Sequence, residues 1–431
     1  MMLVIVFGAS FLAYNLQAYS SDPLSAFGES TEKNKDYLIK ATIRDLQLDV
    51  PPPIRYFGWL RGIIAGLWGN FDMGLSRSDI PVIEILAMAI PVTIKLVITA
   101  TFLAIIFGIS VGMITAIRQY SRFDYVMTFI SFLLFSLPIF WVAVLLKEFM
   151  AIQFNDFLAN PQIPAVVIVI VSLIFGLVIA GFTGGSRAQF FSVIGGVALF
   201  AGAILSYISA TQWFLKPALG IFGVSFLALI SAILVIQLIT GLDSKKGRLA
   251  GFGAALATAI LYYPLQALMS ADASVLNVFA VFSVTISIGV GIGISVSKID
   301  RRVYIRIGFL TAFIATFPII IDRFMSEFSN YMNSDAVNNR PIPTLGQSND
   351  LLAPEQLDNF WISGLDTALH LILPTLALTL ISFAGYVRFS RGSLLEVLNM
   401  DYIRTARAKG LSERTVIVRH GMRNAMLPLT T

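Results

Sequence analysis

The sequence holds no cysteine, only two histidines and few charges: Asp, Glu, Lys and Arg make up 13% of its 431 residues. Without cysteine there is no disulfide, no thiolate metal site and no cysteine nucleophile. Two histidines leave little for metal chemistry. Charge at about half the roughly 25% of soluble domains excludes a water-soluble fold. Also missing is any GxxxxGK run followed by Ser or Thr, the loop that cradles nucleotide phosphates. No cluster of His, Asp or Glu is placed to meet within an apolar segment, which disfavours a membrane-embedded enzyme. What the chain has is apolar: 57% hydrophobic residues, 34 Phe and a mean hydropathy of +0.81. Its unit of organisation is the membrane span of about 20 residues. A net charge of +5 would suggest nucleic acid in a soluble protein. In a polytopic one it reflects Lys and Arg gathered in cytoplasmic loops, so no nucleic-acid partner is expected.

Residues 3–19 form a first apolar stretch without a basic start or a small-residue cleavage pattern, and read as a retained span. Residues 20–85 are polar, with the rigid run Pro51, Pro52, Pro53, and read as a solvated extramembrane segment. Residues 86–117 are apolar and end at Arg118 and Arg122. Residues 125–149 are apolar again, with Pro138 in SLPIFW expected to kink the helix. Six further apolar segments lie near 164–182, 190–210, 217–240, 249–269, 275–297 and 303–321. Their loops alternate in charge. Arg187 follows the first, Lys245, Lys246 and Arg248 the third, and Lys298, Arg301 and Arg302 the fifth, whereas the second and fourth loops hold only Lys216 and Asp272. The positive-inside rule makes the basic loops cytoplasmic. Extended along the chain, one orientation satisfies every loop: N-terminus cytoplasmic, 20–85 external, 322–367 external, a span at 368–389 and a cytoplasmic tail. The sum is an all-α polytopic membrane protein of about ten spans.

The tail is the most informative part. From Arg388 to Arg423 it carries eight basic residues against three acidic ones, an excess equal to the net charge of the whole chain. On charge alone this is a topology signal. The string DYIRTARAKGLSERTVIVRHGMRNAMLP, Asp401 to Pro428, is more specific. It resembles the cytoplasmic coupling loop of dipeptide and oligopeptide ABC importer permeases, whose general pattern is EAAxxxG, a spacer, then LP. Aligned on Gly410, the EAA positions fall on Arg404, Thr405 and Ala406, and LP on Leu427 and Pro428. The lost acidic residue and the longer spacer are departures that the peptide subfamily shares. NFDMGLS (Asn70 to Ser76), Pro81, then Pro91, Val92 and Thr93 resemble the lead-in to the family's second helix. SLPIFW resembles its third and LILPTLALTL its fourth, and Asp22 and Pro23 weakly match its GDP.

The resemblance implies a type I permease-like core over 1–163 (three spans, with the external segment 20–85) and 368–431 (the fourth core span and the coupling loop), with 322–367 as an external loop. Between them, 164–321 is an inserted six-span block without a counterpart. An even number of inserted spans leaves the downstream orientation unchanged. The resemblance further implies a transport subunit and not an enzyme, in the plasma membrane, forming a pathway for di- or oligopeptides. Its partners would be a second homologous permease subunit, two ATPase subunits and an extracytoplasmic substrate-binding protein, within a lipid membrane. ATP and Mg would sit on the ATPases, with no cofactor or metal on this chain. Residues 404–411 (Arg404, Thr405, Ala406, Arg407, Ala408, Lys409, Gly410, Leu411) would dock as a short helix in an ATPase groove. Ala406 and Gly410, four apart, are expected to share a face bare of side chain. Alternatives are a permease for nickel or another solute in the same family, or a secondary transporter, though paired interrupted helices are not found.

Among single residues, Lys95, Lys147 and Glu148 near span ends read as snorkelling groups or as pathway-facing ones. Gln237 and Gln266 read as interhelical hydrogen-bonding residues, and Gly289, Gly291 and Gly293 as close-packing ones. His370 is expected half-wet and without a role, and His420 to be a plain contact residue. Two broader expectations follow from the family pattern, which continues past LP with two more spans and usually starts with basic residues. The chain is expected to stop before its last two core spans, and 164–321 to form a lipid-side appendage away from the pathway.

Overall fold

A computed structural model describes residues 1–20, 23–25, 35–69, 72–76, 80–183, 186–270 and 273–427. Asp22, Asn70, Phe71, Asp272 and Pro428 lie outside the described residues. Every extended element among the described residues is a helix. Among the described residues the one β feature is an isolated bridge between Leu75 and Pro81. The chain divides into two units, Met1–Ile98 and Thr99–Thr431.

In the first unit, α1 (Met2–Ser20) packs on α3 (Pro52–Ala65), and α2 (Lys35–Asp45) lies between them in sequence. The proline run expected to stiffen a solvated segment instead starts α3. Proline suits the first helical turn, where its missing N–H would have no partner. Tyr56 on α3 is fully buried, and its hydroxyl lies 2.8 Å from Ser10 Oγ. Phe7, Phe11, Tyr14, Phe57 and Trp59 surround its ring at centroid distances of 5.1–5.8 Å. The segment 20–85 is thus partly structured. Lys95, on α4 (Val82–Ile117), is exposed.

The second unit begins within α4 and continues with α5 (Arg122–Ser136), α6 (Ile139–Lys147), a π-helical turn (Glu148–Ile152) and α7 (Gln153–Leu158). The kink expected at Pro138 is a 100° break. Proline lacks the N–H to continue α5 and drives Leu137 into the extended region (φ −82°, ψ 130°).

The six segments of the predicted insertion become α8 (Ala165–Thr183), α9 (Arg187–Ala210), α10 (Gly220–Ile239), α11 (Lys245–Ile260) with α12 (Tyr262–Leu268), α13 (Val275–Val296) and α14 (Arg301–Met332). They do not form one body. α8 and α9 pair with each other, through a close approach of Gly176 to the Ile194 backbone, and α9 has no fully buried residue. The others pack as a four-helix assembly around Ala228, Ala232, Ile236, Ala250, Ile307 and Ala315. Gly289 and Gly293 let α13 lie against the backbone of α14, whereas Gly291 faces open space. A polar knot closes one end. Buried Asp322 accepts hydrogen bonds from the Leu219 and Gly220 N–H groups, the Tyr262 hydroxyl and the Gln266 amide. Gln266 therefore bonds between helices, while Gln237 accepts from the Leu242 N–H in the turn after α10.

α14 runs to Met332, so the segment expected to leave the membrane at 322 leaves its helix eleven residues later. After the short α15 (Pro354–Asp358) comes α16 (Phe360–Leu398), the longest helix at 39 residues. α14 packs on α16, and Trp361 at the head of α16 is buried among Tyr262, Leu265, Ile319 and Phe324. The predicted insertion is thus joined to the predicted core through α14 and α16. Further along, Gly108 and Gly112 of α4 meet α16 at Tyr386, Val387 and Ser390.

Six helices among the described residues are long and apolar enough to cross a membrane, or eight if each bent pair is one span. The two predicted spans outside that count are α1 and α8, each of 19 residues. That length lies within the roughly 17 to 25 residues of a membrane span. The chain is an all-α, multi-pass membrane protein.

Candidate functional site

α16 ends at Leu398, and an extended Met400 (φ −73°, ψ 149°) starts α17 (Asp401–Ala408). Asp401 in the first turn suits the positive end of the helix dipole, and Thr405 Oγ1 donates back to its carbonyl at 2.9 Å. α17 is strongly amphipathic. Ile403 and Ala406 are buried with Val416 against Val397 and Leu398 of α16, while Arg404, Thr405, Arg407, Ala408, Lys409, Gly410 and Leu411 are exposed. Ala406 thus packs on its own chain, which corrects the expectation that it shares an outward face with Gly410. The helix ends before Gly410, which has φ +74°. Its N–H donates to the Arg407 carbonyl and that of Leu411 to the Ala406 carbonyl, the paired bonds of a Schellman cap.

The chain then turns back. Ser412 caps α18 (Glu413–Thr415), a π-helical turn follows (Val416–Met422), and α19 (Arg423–Ala425) returns to α16, where Ser393 Oγ donates to the Ala425 carbonyl at 2.8 Å. Arg407 bridges the turn with two hydrogen bonds to Glu413, at 2.7 and 3.2 Å. Those bonds hold the Glu413 carboxyl below its usual range and raise the Arg407 guanidinium. His420 is half-buried within the π-helical turn.

One buried ion pair sits next to this foot and was not foreseen. Asp124 of α5 receives Arg391 of α16 through two bonds of 2.9 and 3.1 Å, and also accepts from the Tyr120 N–H and the Thr128 hydroxyl. Arg388 lies over the rings of Phe135 (4.2 Å) and Phe132 (5.4 Å). Both arginines had been read as topology signal. The pair joins residues 267 apart, and only the Ser121 and Asp124 spacing of a helix cap marked Asp124 in the sequence.

The arrangement is a short basic helix fastened to the end of a long apolar one, with its small and apolar side turned inward and its cations outward. Among the described residues no group of three or more His, Cys, Asp or Glu is placed to hold a metal ion. Residues 288–431 match the family described as binding-protein-dependent transport system inner membrane component, starting within α13. The chain is 55% identical over 62 residues to the oligopeptide transport system permease protein AppB of Bacillus subtilis, covering 14% of this chain and 20% of that one. It is 55% identical over 67 residues to the dipeptide transport system permease protein DppB of Escherichia coli K12 (16% and 20%). It is 52% identical over 68 residues to the glutathione transport system permease protein GsiC of Pectobacterium atrosepticum (16% and 22%). The matches span about a fifth of the length of these relatives. Residues 288–431 are thus similar to binding-protein-dependent transport system inner membrane components, among them permease proteins of oligopeptide and dipeptide transport systems.

Proposed function

We propose that this chain is the membrane-spanning subunit of an ATP-driven importer of di- or oligopeptides, and that α17 with the following turn is its contact with an ATPase subunit. The observation that carries the reading is the division of α17 into two faces. Ile403 and Ala406 fix it to α16, so a displacement of its exposed face moves the end of a 39-residue helix. Arg391 and Asp124 pass the same displacement to α5. Close-packed contacts transmit such a shift because interiors compress little. ATP and Mg belong to the partner ATPases. A second permease subunit completes the pathway, and a binding protein delivers the peptide from the opposite face of the plasma membrane, where the basic foot is cytoplasmic.

The docking contact is steric with electrostatic help, since exposed ion pairs contribute only about 0 to 1 kcal/mol. Ala408 is exposed on α17 and Lys409 caps it. Ala408→Trp is expected to leave the permease folded but to abolish co-purification of the ATPases and substrate-stimulated ATP hydrolysis. Lys409→Gln is expected to lower both only slightly. Wild-type behaviour of Ala408→Trp on both measures contradicts the reading.

A further inference from the structure

Three parts of the second unit meet beyond the foot: α6 and α7, the 340–346 segment, and the first half of α16. Buried Asn155 of α7 clamps Ile342, donating to its carbonyl at 2.8 Å and accepting from its N–H at 3.1 Å. Arg340 adds a 2.6 Å ion pair to Asp156. The segment so fixed, residues 343–346, walls a cavity of about 230 Å³ with Lys147 of α6 and His370 and Leu373 of α16. No carboxylate lines it. Lys147 has no acidic partner among the described residues, and the neighbouring Glu148 accepts from Gln153 instead.

His370, expected half-wet, has a side chain only 4% exposed. Its Nδ1 lies 2.8 Å from the Asp366 carbonyl oxygen. A carbonyl only accepts, so Nδ1 carries the hydrogen, and in the neutral ring Nε2 is an acceptor with no partner among the described residues. The Asp366 carboxylate faces the same Nδ1 at 3.4 Å and accepts from the Tyr331 hydroxyl (2.9 Å) and the Asn349 N–H (3.1 Å), so both groups act on the Nδ1 side of the ring and leave Nε2 open. An adjoining cavity of about 330 Å³ shares Leu373 and is lined by Phe149, Met150 and Phe154.

A snorkelling lysine needs none of this surrounding structure. The buried imidazole with a spare acceptor, the fixed wall and the apolar neighbour together make a site for an anion that also carries an N–H and an apolar group. We infer that it receives the C-terminal residue of a peptide: Lys147 takes the carboxylate, His370 Nε2 accepts from the last peptide N–H, and the apolar cavity takes the side chain. This rests on the peptide-importer reading above and names what that pathway recognises. An anionic lipid headgroup offers Lys147 the same charge, without the N–H.

The test uses the complete importer, with its ATPases and one binding protein throughout, in phosphatidylcholine vesicles with and without an anionic lipid. Uptake of alanyl-phenylalanine is compared with that of its C-terminal amide. The wild type is expected to prefer the free acid. Lys147→Met is expected to raise KM for the acid by about tenfold, to leave the amide unaffected and so to erase the preference. The binding protein is unchanged, so the difference belongs to this chain. The chain has two imidazoles, and the nitrogen resonance absent from His370→Gln identifies His370. That resonance is expected to shift on adding the acid in the wild type and not in Lys147→Met. An unaltered preference in Lys147→Met overturns the site alone, as does a resonance that responds to anionic lipid and not to the dipeptide. Absence of ATP-dependent uptake of either dipeptide by the wild-type complex overturns the importer reading and the site with it.

Discussion

Gly410 shows how one residue shapes the foot. Its φ of +74° is a conformation that costs side-chain-bearing residues about 1 to 2 kcal/mol, yet a Cβ there would meet open space. Its requirement is therefore conformational and not steric. Gly410→Ala is expected to loosen the Schellman cap, raising amide exchange at Leu411 about five- to thirty-fold, in line with about 1 to 2 kcal/mol. Gly410→Asn should raise it less, because asparagine tolerates the left-handed region. Equal exchange in all three proteins would show that the cap does not depend on this glycine. The resemblance singled out Gly410 as the glycine on which the coupling-loop pattern aligns. The same string set Ala406 on the wrong side, because spacing by four makes a shared face only while the helix continues, and here it ends between the two residues.

At the scale of elements, helix lengths and breaks were legible and helix partners were not. Apolar runs located the six inserted helices to within a few residues, apart from the far end of α14, since a span must be continuous and its loops polar. Glycines at 289 and 293 announced a close contact without saying that α14 would make it. Asp124 and Arg391 are the extreme case: α5 and α16 meet through charges whose separation in sequence carries no period. Their side chains are 4% and 28% exposed respectively, so loss of one partner strands a poorly solvated charge. Arg391→Met is expected to destabilise the protein by about 2 to 3 kcal/mol, read as a lowered Tm in detergent, whereas Asp124→Leu combined with Arg391→Met should recover most of the loss. A double variant as unstable as the sum of the two single ones would show that the pair is not coupled.

At the scale of the whole molecule, an all-helical, multi-pass chain followed from composition and the apolar runs, and the proposed kind of transport rests on one string near the end of the sequence. The place of the inserted helices did not follow, because burial of Trp361 among α12 and α14 is a tertiary fact without a local signal. The claim on which the account depends is that α17 turns Ala408 outward to an ATPase while Ala406 is covered by its own chain. The chain has no cysteine, so a single introduced thiol is unique. The direct measurement is thiol-specific cross-linking in membranes containing the ATPases, comparing Ala408→Cys with Ala406→Cys. The account predicts that Ala408→Cys joins the permease to an ATPase subunit and that Ala406→Cys does not. Cross-linking from position 406, or none from 408 in an assembled complex, would contradict it.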